Sequence, residues 1–228
     1  AAVTDGEPAS DLLPAERSND LGNGLRRIVD GSRCGDDFRI LVVPEGYTDM
    51  EAFARDAQAV AASFGAIAGY SEHSSQISVY TQDFTSTDEG ISDPDNAVTR
   101  NTAFNASFGR GDLRRCIFPH NGIPSATAAS LFVAKERAGA DVVVMIANTN
   151  EYGGCAQASP KMIAVTRHAS AEATLGHEMG HALFGLSDEY AGGGVACNAR
   201  GADTPNTGNN LRALPWRAML TTDELPTT

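Results

Sequence analysis

The sequence predicts an α/β sandwich, a twisted mixed sheet with helices on both faces. Two patterns carry this reading. Runs of strand length alternate with runs of helical period. The most apolar run, Ala140 to Ala147, reads as a strand buried on both sides and therefore central. Size agrees: 228 residues, 42% hydrophobic and 20% charged, are enough for one large globular domain with a substantial core.

Residues 1 to about 25 are polar and rich in Asp, Glu, Gly and Pro. They read as a flexible leader or an arm, with the domain proper over 26–228. Phe38 to Val43 is a buried strand, broken by Pro44-Glu45-Gly46-Tyr47. Thr48 or Asp49 caps a helix from Met50 to Phe64, with Phe53, Ala57, Val60 and Phe64 on one stripe. Gln76 to Thr81 alternates polar and apolar, the strand period. Thr85 to Asn101 is long and acidic and reads as a solvated surface loop. Asp93-Pro94-Asp95-Asn96 within it lacks the spacing of an EF-hand calcium loop. The basic cluster from Arg110 to Arg115 is expected to form salt bridges with this loop.

Ser125 or Thr127 starts a helix to about Arg137, with Ala128, Leu131 and Phe132 available to pack. Asn148 to Ala156 is read as a loop, and Lys161 to Val165 as a short strand. That strand is expected at the edge of a cleft, where it could pair with an extended peptide. Ser170 is the expected N-cap of a helix to about Phe184, with Glu172 in its first turn. Ala191 to Gly194 and Asn198 to Asn210 read as irregular, and Trp216 as a lid, a wall or plain core.

The chemistry is expected on the last helix. His177-Glu178-Met179-Gly180-His181 is an H-E-x-x-H motif. Residues four apart share one helix face, so the two imidazoles can grip one ion. Glu178 can reach a water on that ion without binding it, which is the role of a general base in zinc hydrolases. The third ligand of metzincins falls ten residues after the first His, just past a glycine turn. Here that position is Ser187, a poor ligand, but Phe184 fills the usual glycine place and Gly185 follows. The displaced ligand is therefore Asp188, with Glu189 as the rival. Tyr190 is a candidate donor to a developing oxyanion, with ring packing as its alternative role. A buried His pair in plain core is the bland alternative for the whole motif.

The net charge of −12 disfavours a nucleic-acid partner and suits a secreted enzyme. No run of about 18 apolar residues exists, so no membrane span is predicted. Ala1 to Asp5 reads as the start of a processed mature protein, and a monomer is expected. Lysine occurs only at Lys135 and Lys161, a bias associated with GC-rich bacterial genomes. The four cysteines form no C-x-x-C pair and suggest two disulfides, with free buried thiols as the alternative. Of three connectivities, Cys34–Cys116 with Cys155–Cys197 is the expected one.

Several landmarks occur in order: Glu45-Gly46-Tyr47-Thr48, Thr99 to Phe104, Asn148 with Tyr152-Gly153-Gly154, and His177 to His181 with Gly185 to Tyr190. With a late Trp216-Arg217, these resemble the bacterial IgA-cleaving type of zinc metallopeptidase, a metzincin-like family. The resemblance spans roughly residues 36 to 217. It implies a metzincin-like zincin sandwich and a secreted, Zn²⁺-dependent endopeptidase acting on protein or peptide. It does not imply IgA as the substrate. One departure stands out: Met219 is the sole methionine after the motif, and Leu220 to Asp223 does not match the methionine turn of that class. The C-terminal subdomain, from about 191, is accordingly expected to be incomplete. Two alternatives remain: a catalytically silent, zinc-containing cell-surface binding module, and a zinc hydrolase acting on something other than peptides.

Overall fold

The computed structural model describes residues 19–32, 36–109, 113–119, 122–158 and 160–188. In chain order they form β1 (Asn19–Asp20), β2 (Leu25–Val29), β3 (Phe38–Glu45), α1 (Met50–Ser63), β4 (Ile77–Gln82), β5 (Ala106–Ser107), β6 (Phe118–Pro119), α2 (Ser125–Ala138), β7 (Val142–Ala147), β8 (Gly154–Ala158), β9 (Lys161–Thr166) and α3 (Ala171–Phe184). Seven strands make one mixed sheet in the order β1-β2-β4-β3-β7-β9-β8. Its centre, β4-β3-β7-β9, is parallel; β1, β2 and β8 run antiparallel to their neighbours.

The apolar strands read as continuous runs because both faces are covered. Ile40, Val42, Val144, Ile163 and Val165 point to one side, against Phe53, Ala57 and Val60 of α1 and Leu175, Met179 and Ala182 of α3. Leu41, Val43, Val143, Met145 and Ala164 point to the other, against Ala134 and Ala138 of α2. The helices thus lie on both faces, as expected. On the α2 side, much of the cover comes from the irregular stretch carrying Phe104, Phe108, Ile117 and Phe118.

Several expectations need correction. The strand at Phe38 continues through Pro44 to Glu45. Pro44 is tolerated because it falls after the last pair with β4, Val42↔Thr81, where one flank of β3 is already open. Gly46 ends the strand at φ 73, and a Cβ there would lie 2.2 Å from the Gly90 carbonyl oxygen. Asp49 does cap α1, accepting from the Glu51 N–H at 2.8 Å. Ser170 occupies the N-cap position of α3, but its side chain makes no capping bond. Phe132 does not pack: it is 64% exposed, and α2 buries Ala134 and Ala138 instead.

The acidic segment, 85–101, is irregular and largely exposed, as expected of a surface loop. It is tied to the carboxyl end of β3 by Gly90 N–H on the Gly46 carbonyl and Ser86 N–H on the Tyr47 carbonyl, and the stretch just after it is anchored there more firmly. The Glu45 carboxylate, fully buried, accepts from the Thr102 hydroxyl (2.5 Å), the Ala106 N–H (2.7 Å) and the Phe104 N–H (2.9 Å). Ser86 accepts from Gly46 N–H and Ala103 N–H, and Asn148 donates to the Gly46 carbonyl. The landmarks Glu45-Gly46, Thr102 to Phe104 and Asn148 are therefore one junction, far apart in sequence and bonded in space. Arg114 bridges to this segment as expected, reaching Asp93 at 2.7 Å and Asp95 at 3.4 Å; it also reaches Glu151, ahead of β8, at 2.7 Å and lies over the Phe108 ring at 4.5 Å.

The strand at Lys161 is not the sheet edge. It lies between β7 and β8, and the edge strand is β8, in the stretch read as a loop. Gly-Cys-Ala-Gln-Ala carries no β-branched residue and no alternation, so β8 owes its existence to pairing with β9 rather than to propensity. Gly154 sets how closely α3 approaches it. A Cβ there would sit 2.3 Å from Thr174 Cγ2 and 3.2 Å from the Ala164 carbonyl oxygen. Gly154→Ala is expected to cost about 1–3 kcal/mol by overpacking, read as a lowered midpoint in thermal denaturation. Unchanged stability would mean that β8 and α3 do not pack this closely.

Candidate metal centre

α3 carries His177, Glu178 and His181, and its end brings Asp188 back to them. Gly185 closes the helix in the left-handed region at φ 65, with its N–H on the His181 carbonyl and the Leu186 N–H on the Gly180 carbonyl, both at 3.2 Å. That turn points the chain back along the helix. His177 Nε2 and His181 Nε2 lie 3.0 Å apart, and Asp188 Oδ1 lies 3.0 Å from the first and 3.2 Å from the second. The two rings are nearly perpendicular, at 86°.

This triangle fits a small divalent cation. Ligand bonds of 2.0–2.1 Å in a tetrahedron give edges of about 3.3 Å. The tautomer of His181 also suits a ligand. Its Nδ1 lies 2.5 Å from the Leu186 carbonyl. A carbonyl only accepts, so the proton is assigned to Nδ1 and the Nε2 lone pair faces the triangle. Among the described residues this is the one group of three or more His, Cys, Asp or Glu side chains placed to share an ion.

Glu178 stands beside the triangle and is 5% exposed. Burial pushes its carboxyl up, while the positive fields of His177, His181 and Arg115 pull it back down. The triangle opens on a cleft of about 350 Å³. Glu178 and the ligand candidates line it together with Leu113, Arg115, Cys116 and the edge strand from Gly154 to Ala156.

Part of this lining is held by a disulfide that the expected pairing missed. Cys116 bonds Cys155, not Cys34. The reason is local: the Gly154 N–H donates to the Arg115 carbonyl at 3.0 Å, which lays residues 115 and 116 against the start of β8. Cys34 and Cys197 lie outside the described residues, as do Glu189, Tyr190, Trp216 and Met219. Sequence reasoning missed Gly154, Arg115 and the Leu186 carbonyl as parts of the site. Consecutive glycines before a cysteine were a usable signal of close backbone approach.

Sheet, helix and turn define a class: an α/β protein whose H-E-x-x-H helix and following loop could hold a metal ion between two imidazoles and a carboxylate. A family model described as IgA peptidase M64 matches residues 27–228, and the chain belongs to that family. It is a peptidase. No curated protein matches the chain.

Proposed function

We propose that the chain is an exported zinc endopeptidase of metzincin-like design. One observation carries this: three ligand atoms within hydrogen-bond distance of one another, beside a buried glutamate, in a cleft bordered by the last strand of the sheet among the described residues. His177 Nε2, His181 Nε2 and Asp188 Oδ1 would hold the ion. When bound, zinc polarises the scissile carbonyl and makes water a nucleophile near neutral pH. Glu178 takes the proton of the attacking water and passes it to the leaving amide nitrogen. The Leu186 carbonyl keeps His181 in its ligating tautomer. β8 is the last strand of the sheet among the described residues, and beyond Gly154, whose N–H is taken by the Arg115 carbonyl, it is where an extended substrate would add as a further strand. Export is supported by the Cys116–Cys155 disulfide, since such bonds persist in oxidising compartments. No helix among the described residues is long and apolar enough to cross a membrane.

The test is metal analysis paired with cleavage of a peptide library. The purified protein is expected to carry about one zinc per chain, to lose cleavage on chelation and to regain it with zinc. Asp188→Ala is expected to weaken zinc binding by more than the ~10–100-fold that loss of an outer-shell partner costs. Zinc retained without cleavage of any peptide would favour the silent binding module.

A further inference from the structure

We propose that Leu113 forms an apolar subsite of the cleft, which takes a large apolar side chain of the substrate, such as Leu, Met or Phe, close to the scissile bond. The proposal deepens the peptidase reading and rests on it. Leu113 is 52% exposed, and among the described residues it is the one exposed large hydrophobic that lines this cleft. The Cys116–Cys155 bond and Ala156 continue the apolar part of the same lining. Half of the leucine thus stands in water in the groove where a peptide would lie. Covering it is favourable in proportion to the apolar area removed from water.

The backbone that carries Leu113 is tied down. Its carbonyl accepts from the Cys116 N–H at 2.9 Å, Cys116 is bonded to Cys155, and the Arg115 carbonyl between them holds the Gly154 N–H. A side chain mounted on an anchored turn costs little further ordering when a ligand covers it. The sheet then sets which substrate residues meet it. Along β8, Gly154 and Ala156 face α3: a Cβ on Gly154 would meet Thr174 and Glu178, and Ala156 packs on the core beneath α1 and α3. Cys155 faces the other way, bonded to Cys116 and packed on the α2-side core. A peptide that adds to β8 as a strand alternates in the same manner. One of its side chains faces α3, which carries the ligand candidates, and the next faces the side of Cys116 and the turn bearing Leu113. The apolar demand therefore falls on every second residue of the substrate.

Paired fluorogenic peptides that differ only by Leu against Ala, at each position flanking the cleaved bond, test this. Wild type is expected to show kcat/KM about tenfold higher for the Leu peptide at one position, the low end of discrimination by an apolar pocket. Leu113→Ala is expected to bring that ratio close to one, to leave the ratio at both adjacent positions unchanged, and to melt near wild type because the side chain is half-exposed. Leu113→Met, of similar volume, is expected to keep the preference. A common loss across all peptides with the ratio intact would assign Leu113 a structural role and overturn the proposal. So would equal effects of Leu113→Ala at two adjacent positions, or cleavage by wild type with no preference for Leu anywhere. Binding of the same labelled peptides, read by fluorescence anisotropy on wild type and Leu113→Ala in the Glu178→Gln background, is a second readout, with the same preference expected and the same loss of it. A binding preference that Leu113→Ala abolishes, with no cleavage by zinc-loaded wild type, would sink the peptidase reading and leave the apolar subsite standing.

Discussion

Glu178→Gln is expected to lower peptide cleavage by about 10²–10⁴-fold, the usual contribution of a positioned acid–base group. The substitution keeps shape and removes the proton acceptor. Shape matters because Glu178 is almost completely buried on the inner side of α3, where truncation would also open a cavity. His177, His181 and Asp188 are untouched, so zinc content and melting temperature are expected to stay at wild-type values. The loss should fall on kcat, since the proton moves only after the substrate is seated. Activity near wild type in this variant would remove Glu178 from the chemistry and leave the cleft without a base.

Glu45→Gln is expected to cost about 2–3 kcal/mol, the scale of a buried hydrogen-bond donor left without an acceptor. Oε1 takes the Thr102 hydroxyl and the Ala106 N–H, and Oε2 takes the Phe104 N–H. An amide has one acceptor oxygen, so its NH₂ faces a backbone N–H in either orientation, that of Ala106 or that of Phe104. Burial alone would push this carboxyl up, and the converging donors oppose that. For a chain of 228 residues the midpoint of thermal unfolding is expected to drop by ~5–10 °C. Thr102→Val removes one donor without stranding either backbone N–H and is expected to cost less. A Gln variant as stable as wild type would show that the junction does not need an anion.

What could be read from the chain, and what could not, divides along physical lines. The central strands were legible because their apolar side chains face a helix or a packed segment on each side, as with Val142 to Ala147. α1 was legible from its cap Asp49 and its apolar stripe, and α3 from its period and its closing Gly185. The third acid was placed by counting from Gly185, and the fold sets its Oδ1 beside both imidazoles. β8 was illegible because its pairing partner, not its own residues, makes it a strand. Arg115 was illegible as a cleft residue because nothing local in the sequence places it beside β8. The junction at Glu45 was illegible because its partners, Thr102, Phe104 and Ala106, lie some sixty positions later, a separation that no local pattern reports. β1 and β2 carried too short or too charged a pattern to be seen.

The loop that delivers Asp188 grows out of the left-handed close of α3, so all three prospective ligands ride on one helix and its own tail. Capture of an ion there would therefore be linked to fraying of that last turn. A cation so held would act as a staple across the helix terminus, and unwinding of Phe184 and Gly185 would release it.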